Sequence, residues 1–116
     1  MVEVRARRDS RDRLSSFFAS GHAGWAEAGQ DVVCAAVSAL LQAAWMGLTE
    51  VAKIPVEGSR SDGALSLAWP REARDDPAAM AIVETTARSI EYIARQYPEH
   101  VRFIPERGTT GEKGHA

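Results

Sequence analysis

The run DVVCAAVSALLQAAWMGLTEVA, residues 31–52, decides the reading of this chain. Val33, Val37, Leu40, Leu41, Ala44, Leu48 and Val51 recur at helical spacing and fall on one stripe, which predicts an amphipathic helix from Asp31 to about Ala52. At 116 residues the chain is long enough for one core. This helix is its central apolar element. Asp31 is suited to capping the helix, which would make Cys34 its third residue. At about 100° per residue the apolar stripe centres between Val33 and Val37, and Cys34 lies about 70° off that centre, at the shoulder between core and surface where a substrate could reach it.

Working outward, VEVRARR at 2–8 alternates apolar and polar residues and predicts a strand, followed by turn residues and a second strand over 13–20. Residues 21–30 are glycine-rich and read as a loop. Beyond the helix, strands are expected near 54–58 and 64–69, joined by SRSDG, with Leu65, Leu67 and Trp69 on one face. Asp76 and Pro77 are a helix start, with Met80, Val83, Ala87, Ile90, Ala94 and Tyr97 as the buried stripe and Pro98 as the stop. VRFI at 101–104 is the last strand. The expected fold is α+β, a two-layer sandwich in which two helices cover one face of a mostly antiparallel sheet. The domain spans 1–105, and 106–116 is expected to be a flexible tail. Exposed apolar residues on the uncovered sheet face would favour a dimer.

Charge and composition exclude several classes. A formal net charge of −2 argues against phosphate-backbone binding, and the arginines at 5, 7, 8, 11 and 13 alternate with acids, so direct nucleic-acid binding is not expected. No apolar run is expected to span a membrane, and no signal-peptide core is expected at the N-terminus. One cysteine cannot form an internal disulfide, so a cytoplasmic location is expected. His22 and Cys34 supply two metal ligands, but His100 and His115 do not complete a set, so no metal site is expected.

The chemistry lies in GHAGWAEAGQDVVC, residues 21–34. A thiol attacks only as the thiolate, so a nucleophilic cysteine needs a helix N-terminus, a cation or both to favour that form. Cys34 at the start of a helix, with His22 as base and acid, would meet that need, and the helix-end N–H groups could receive an oxyanion. The structural alternatives are a small buried hydrophobe at Cys34, a backbone-bonded loop histidine at His22 and a helix cap at Asp31. Ser38 lies one turn below Cys34; it either steadies the thiolate or bonds back to the Cys34 carbonyl.

The pattern of Gly21, His22, Gly24, Trp25, Gly29, Asp31, Cys34 and Ser38 resembles the signature of the ribosomal-processing cysteine proteases. The likeness is dense over 21–43 and looser over 1–104. It implies a Cys34–His22 catalytic dyad with Asp31 and Ser38 in support. It also implies a mobile loop carrying Gly21, Gly24 and Gly29, with Trp25 as a substrate contact where a tyrosine is more usual. It further implies a cofactor-free cytoplasmic homodimer. The implied activity is removal of the N-terminal extension of bacterial large-subunit ribosomal protein twenty-seven, cut between Phe-Phe and Ala-Ser. Phe17-Phe18-Ala19-Ser20 spells the same sequence within this chain and is read as a strand, whose paired backbone a protease cannot take. The alternative function is a non-catalytic ribosome-assembly module that holds a ribosomal protein tail.

Overall fold

The computed structural model describes residues 1–21 and 30–108, with 30 and 31 as backbone only. Strands β1 (Val2–Arg8) and β2 (Leu14–Ser20) are followed by helix α1 (Gln30–Met46), strands β3 (Glu57–Ser61) and β4 (Ala64–Ala68), helix α2 (Pro77–Gln96) and strand β5 (Val101–Arg107). The sheet order is β3-β4-β2-β1-β5, antiparallel except where β5 lies parallel to β1. This is the expected α+β fold with an open sheet.

Alternation along the strands builds the core. Val2, Val4, Ala6, Phe17, Ala19, Leu65, Leu67 and Val101 are buried on one sheet face, where they meet Val37, Leu41 and Leu48 of the first helical segment and Val83 and Ile90 of α2. Trp69 just beyond β4 is buried too; its indole N–H donates to the Leu14 carbonyl at 2.8 Å, and its ring meets Phe17 edge-on. The Asp76 cap is present, accepting from the Ala79 N–H at 3.0 Å with Pro77 opening α2.

Several expectations need correction. After Met46 the helix widens into a π-turn over Gly47–Val51, closed by the Ala52 N–H to the Gly47 carbonyl at 2.8 Å. The widened turn rotates the following positions, so Val51 is 76% exposed rather than part of the core stripe. In α2, Met80 and Tyr97 face outward, and the buried face runs instead through Ala79, Val83, Thr86, Ala87 and Ile90. The hairpin strand begins at Glu57, and the last strand runs past Ile104 through Arg107. Glu106, assigned by its composition to the tail, lies in the sheet and pairs with Arg5 at 2.9 Å. Tail residues 109–116 lie outside the described residues.

The uncovered sheet face is also different from the apolar surface expected. Phe18 and Ile104 flank Arg5 there, but Glu3, Arg5, Arg7, Arg102 and Glu106 form a lattice of ion pairs beside Ser16, Ser20, Ser59 and Ser66. Alternation supplies polar partners for water on this side. The 20-residue segment Val32–Val51, contrary to the sequence reading, is long and apolar enough by length and composition to cross a bilayer. Its apolar stripe is packed on the sheet, as a core helix requires.

Candidate active site

The site is built where the N-terminal part of α1 crosses the β3–β4 hairpin. Strand β2 ends beside that hairpin: the Gly21 N–H donates to the Gly63 carbonyl at 2.9 Å. Gly21 has φ of 98°, and a Cβ there would collide with the carbonyl of Met1, so only glycine fits. Gly63, with φ of 80°, turns the hairpin. Hence the chain leaves the sheet toward His22 at a fixed point and returns to described structure at Gln30, the start of α1.

The helix bounds correct the position of the thiol. Since α1 begins at Gln30, Asp31 is the second helical residue and Cys34 the fifth. Helical Cβ atoms tilt toward the N-terminus, so the Cys34 Cβ leans toward the first turn, whose N–H groups lack intrahelical acceptors. Cys34 is also fully buried, 0% exposed, not at the shoulder of the helix. Stripe geometry placed it off-centre from the larger apolar side chains, but a small thiol can join a core at the edge of such a stripe.

One turn along, Ser38 is half-buried and lines a depression of about 420 Å³ together with residues 60–65. Among the described residues Thr49 and Thr86 bond back to the carbonyls of Trp45 and Ile82, at 2.9 and 2.7 Å, and Ser38 makes no such bond. Its hydroxyl is therefore left to face the depression. Farther down α1, Trp45 covers Gly58, where a Cβ would collide with the indole ring. The helix thus runs along β3, from the hairpin turn toward Glu57, with Ser38 and Trp45 marking the seam.

The structure ties Gly21 to the hairpin at Gly63 and sets Ser38 beside residues 60–65, with Cys34 one helical turn before Ser38 in the core. His22, Gly24, Trp25 and Gly29 lie outside the described residues, as does the side chain of Asp31. Arg60 and Gly63 were missed as site neighbours because SRSDG reads only as a turn; nothing in that pentapeptide says what it packs beside. The FFAS segment is strand β2, paired with β1 and β4 on its two edges, with Phe17 and Ala19 in the core. No group of three or more His, Cys, Asp or Glu residues suited to a metal ion occurs among the described residues.

These features define a small α+β domain with an open sheet, two helices on one face, and a cysteine near the start of the core helix. A family model described as cysteine protease Prp matches residues 1–102. The ribosomal processing cysteine protease Prp of Bacillus subtilis strain 168 is 32% identical over 106 residues, covering 88% of this chain and 95% of that protein. The chain belongs to the cysteine protease Prp family, and its enzyme class is that of a cysteine protease. A crystal structure from Streptococcus mutans superposes with a TM-score of 0.85 at 25% identity, covering 92% of this chain and 98% of that one. The Staphylococcus aureus Prp in complex with a substrate peptide shares the fold, with a TM-score of 0.82 at 22% identity over 91% of this chain and 100% of that one.

Proposed function

We propose that this protein is a ribosomal processing endopeptidase that removes the N-terminal extension of large-subunit ribosomal protein twenty-seven, using Cys34 and His22. The observation that carries the reading is the meeting of three elements at one corner. Gly21 is tied to Gly63, His22 follows it directly in sequence, and Ser38 of α1, one turn beyond Cys34, lines a depression with residues 60–65 of the same hairpin.

In this mechanism His22 takes the Cys34 thiol proton, and the sulfur bonds to the scissile carbonyl carbon. The oxyanion is received by N–H groups of the first turn of α1. The carbon–nitrogen bond then breaks as His22 protonates the departing amine. Water, deprotonated by the same imidazole, attacks the thioester; the tetrahedral intermediate collapses to the acid and returns the thiol. Asp31, in the first helical turn, supports the dyad, and Ser38 offers its hydroxyl from the next turn. The reading includes a cytoplasmic location and a homodimer, both supported by the family resemblance.

The test is cleavage of a peptide containing Phe-Phe-Ala-Ser, followed by mass spectrometry. Wild-type protein should cut between Phe and Ala, and Cys34→Ala and His22→Ala should each abolish turnover while leaving the circular dichroism spectrum unchanged. The burial of Cys34 favours a second reading, a binding module without catalysis. Under that reading, wild-type protein would bind the peptide without cutting it, and iodoacetamide would not modify Cys34 below about pH 8.

A further inference from the structure

We infer that the free edge of β3 is the substrate-docking strand: an extended peptide pairs with the main chain at Gly58 and Arg60 and is led past the hairpin turn to Cys34. This deepens the protease reading and rests on it for the identity of the peptide. Strand β3 is the outermost strand on its side of the sheet and is exposed along its whole length. Its register with β4 pairs Ser61 with Ala64 across the Asp62–Gly63 turn. Residues flanking a two-residue turn exchange their hydrogen bonds, and the pattern then alternates. Ser61, Ser59 and Glu57 accordingly bond inward to β4, whereas Gly58 and Arg60 aim N–H and C=O groups outward.

Three observations select a peptide substrate as the occupant of this edge. The first is continuity with the site: Arg60 and Ser61 of β3 line the same depression as Ser38, one turn from the nucleophile. The second is the side on which Arg60 lies. It pairs with Leu65, whose row is buried toward the helices, so its guanidinium is on the α1 side of the sheet, and it makes no ion pair or hydrogen bond within the described structure. An unpaired donor fork beside an edge suits the carbonyl oxygens of an extended chain. The third is the contrast with the opposite edge. Both edge strands carry charged residues, but β5 also carries Pro105, which has no N–H to give an added strand, whereas β3 has no proline and an unbroken register with β4. Strand addition provides affinity through the main chain and presents alternate side chains to the two faces. It also holds a peptide extended, the form in which its carbonyls are open to attack.

The experiment uses a peptide of about twelve residues centred on Phe-Phe-Ala-Ser and two substitutions at one position. Proline at Arg60 removes an outward N–H without taking a bond from the β3–β4 ladder, so the sheet should be kept. Alanine at Arg60 removes only the guanidinium. Arg60→Pro should raise KM at least tenfold and weaken peptide binding to the Cys34→Ala protein equally, with iodoacetamide modification of Cys34 changed less than twofold. Arg60→Ala should raise KM only two- to fivefold. N-methylation scanned along the peptide should weaken binding at alternate residues. Equal binding by the Arg60→Pro and unsubstituted proteins, or a methylation scan without a two-residue period, overturns the docking strand even where cleavage is intact. Alternating binding without cleavage supports the edge and removes the catalytic reading instead. Sedimentation showing that Arg60→Pro dissociates a dimer would assign the edge to a second copy of the chain and overturn the proposal.

Discussion

The Trp45 indole packs directly on the backbone of Gly58, so that helix α1 and edge strand β3 meet there with only that ring between them. Adding one carbon at Gly58 forces the indole to move. Because Gly58 sits in a strand without positive φ, the cost is steric, about 1–3 kcal/mol for overpacking at a tight contact. Urea denaturation of Gly58→Ala should show that loss. Combining it with Trp45→Ala should cost less than the sum of the single changes, since the second substitution removes the clash.

A buried carboxylate holds the β1–β2 turn. Asp9 accepts from the backbone N–H groups of Arg11 and Arg13 at 2.9 and 3.0 Å, and from the side chains of Arg13 and Arg74 at 3.1 and 3.0 Å. Burial alone would push its carboxyl up. The Arg13 backbone bond, the Arg74 side-chain bond, the Arg11 backbone bond and the charge of Arg13 outweigh that and lower it from 3.8 to about 2. The folded state therefore releases this proton more readily than the unfolded chain. Its contribution is whole above about pH 5 and drains as pH falls through about 4 to 2, amounting to about 2 kcal/mol. Wild-type stability measured by urea should fall across that window by this amount more than the stability of Asp9→Asn, which should also be the less stable protein at pH 7.

How much of this could be read from sequence depends on whether the signal is local. The Asp76–Pro77 helix start is decided by adjacent residues and was legible. The strand over residues 2–8 was legible because its alternation faces one core. Val51 was not: its place on the stripe assumed an unbroken period, and the π-turn at Gly47–Val51 breaks it. Nor was the phase of α2, where the small Ala79 takes the buried position and the larger Met80 turns outward. Around the site, the burial of Cys34 and the position of Arg60 depend on contacts between distant segments. Periodicity carries no record of those.

Gly21 is a stricter test of the corner that carries the site. Its φ of 98° and its approach to the Met1 carbonyl leave no room for a side chain. Gly21→Ala should destabilise the fold by about 1–3 kcal/mol and reduce peptide cleavage beyond what the unfolded fraction accounts for, because the segment bearing His22 begins there. Comparing thermal unfolding with activity at a temperature well below the midpoint separates the two effects.

The burial of Cys34 leads to the last prediction. A sulfur with no accessible surface cannot meet a peptide carbonyl, whose backbone must approach to bonding distance. Helix α1 holds the residue in the core, so access requires displacement of what covers it. From the glycines of residues 21–29 and the family resemblance alone, since 22–29 lie outside the described residues, we propose that this segment closes on substrate and assembles the dyad only around a peptide that fills its subsites. Stiffening this segment should separate access from chemistry. Gly24→Pro should lower kcat for peptide cleavage at least tenfold, whereas the fold, followed by thermal unfolding, should be unaffected. Modification of wild-type Cys34 should slow steeply as the alkylating reagent grows from iodoacetamide to a bulky maleimide, and saturating substrate peptide should protect it. Size-independent modification together with undiminished turnover in Gly24→Pro would show that the thiol is reached without any such movement.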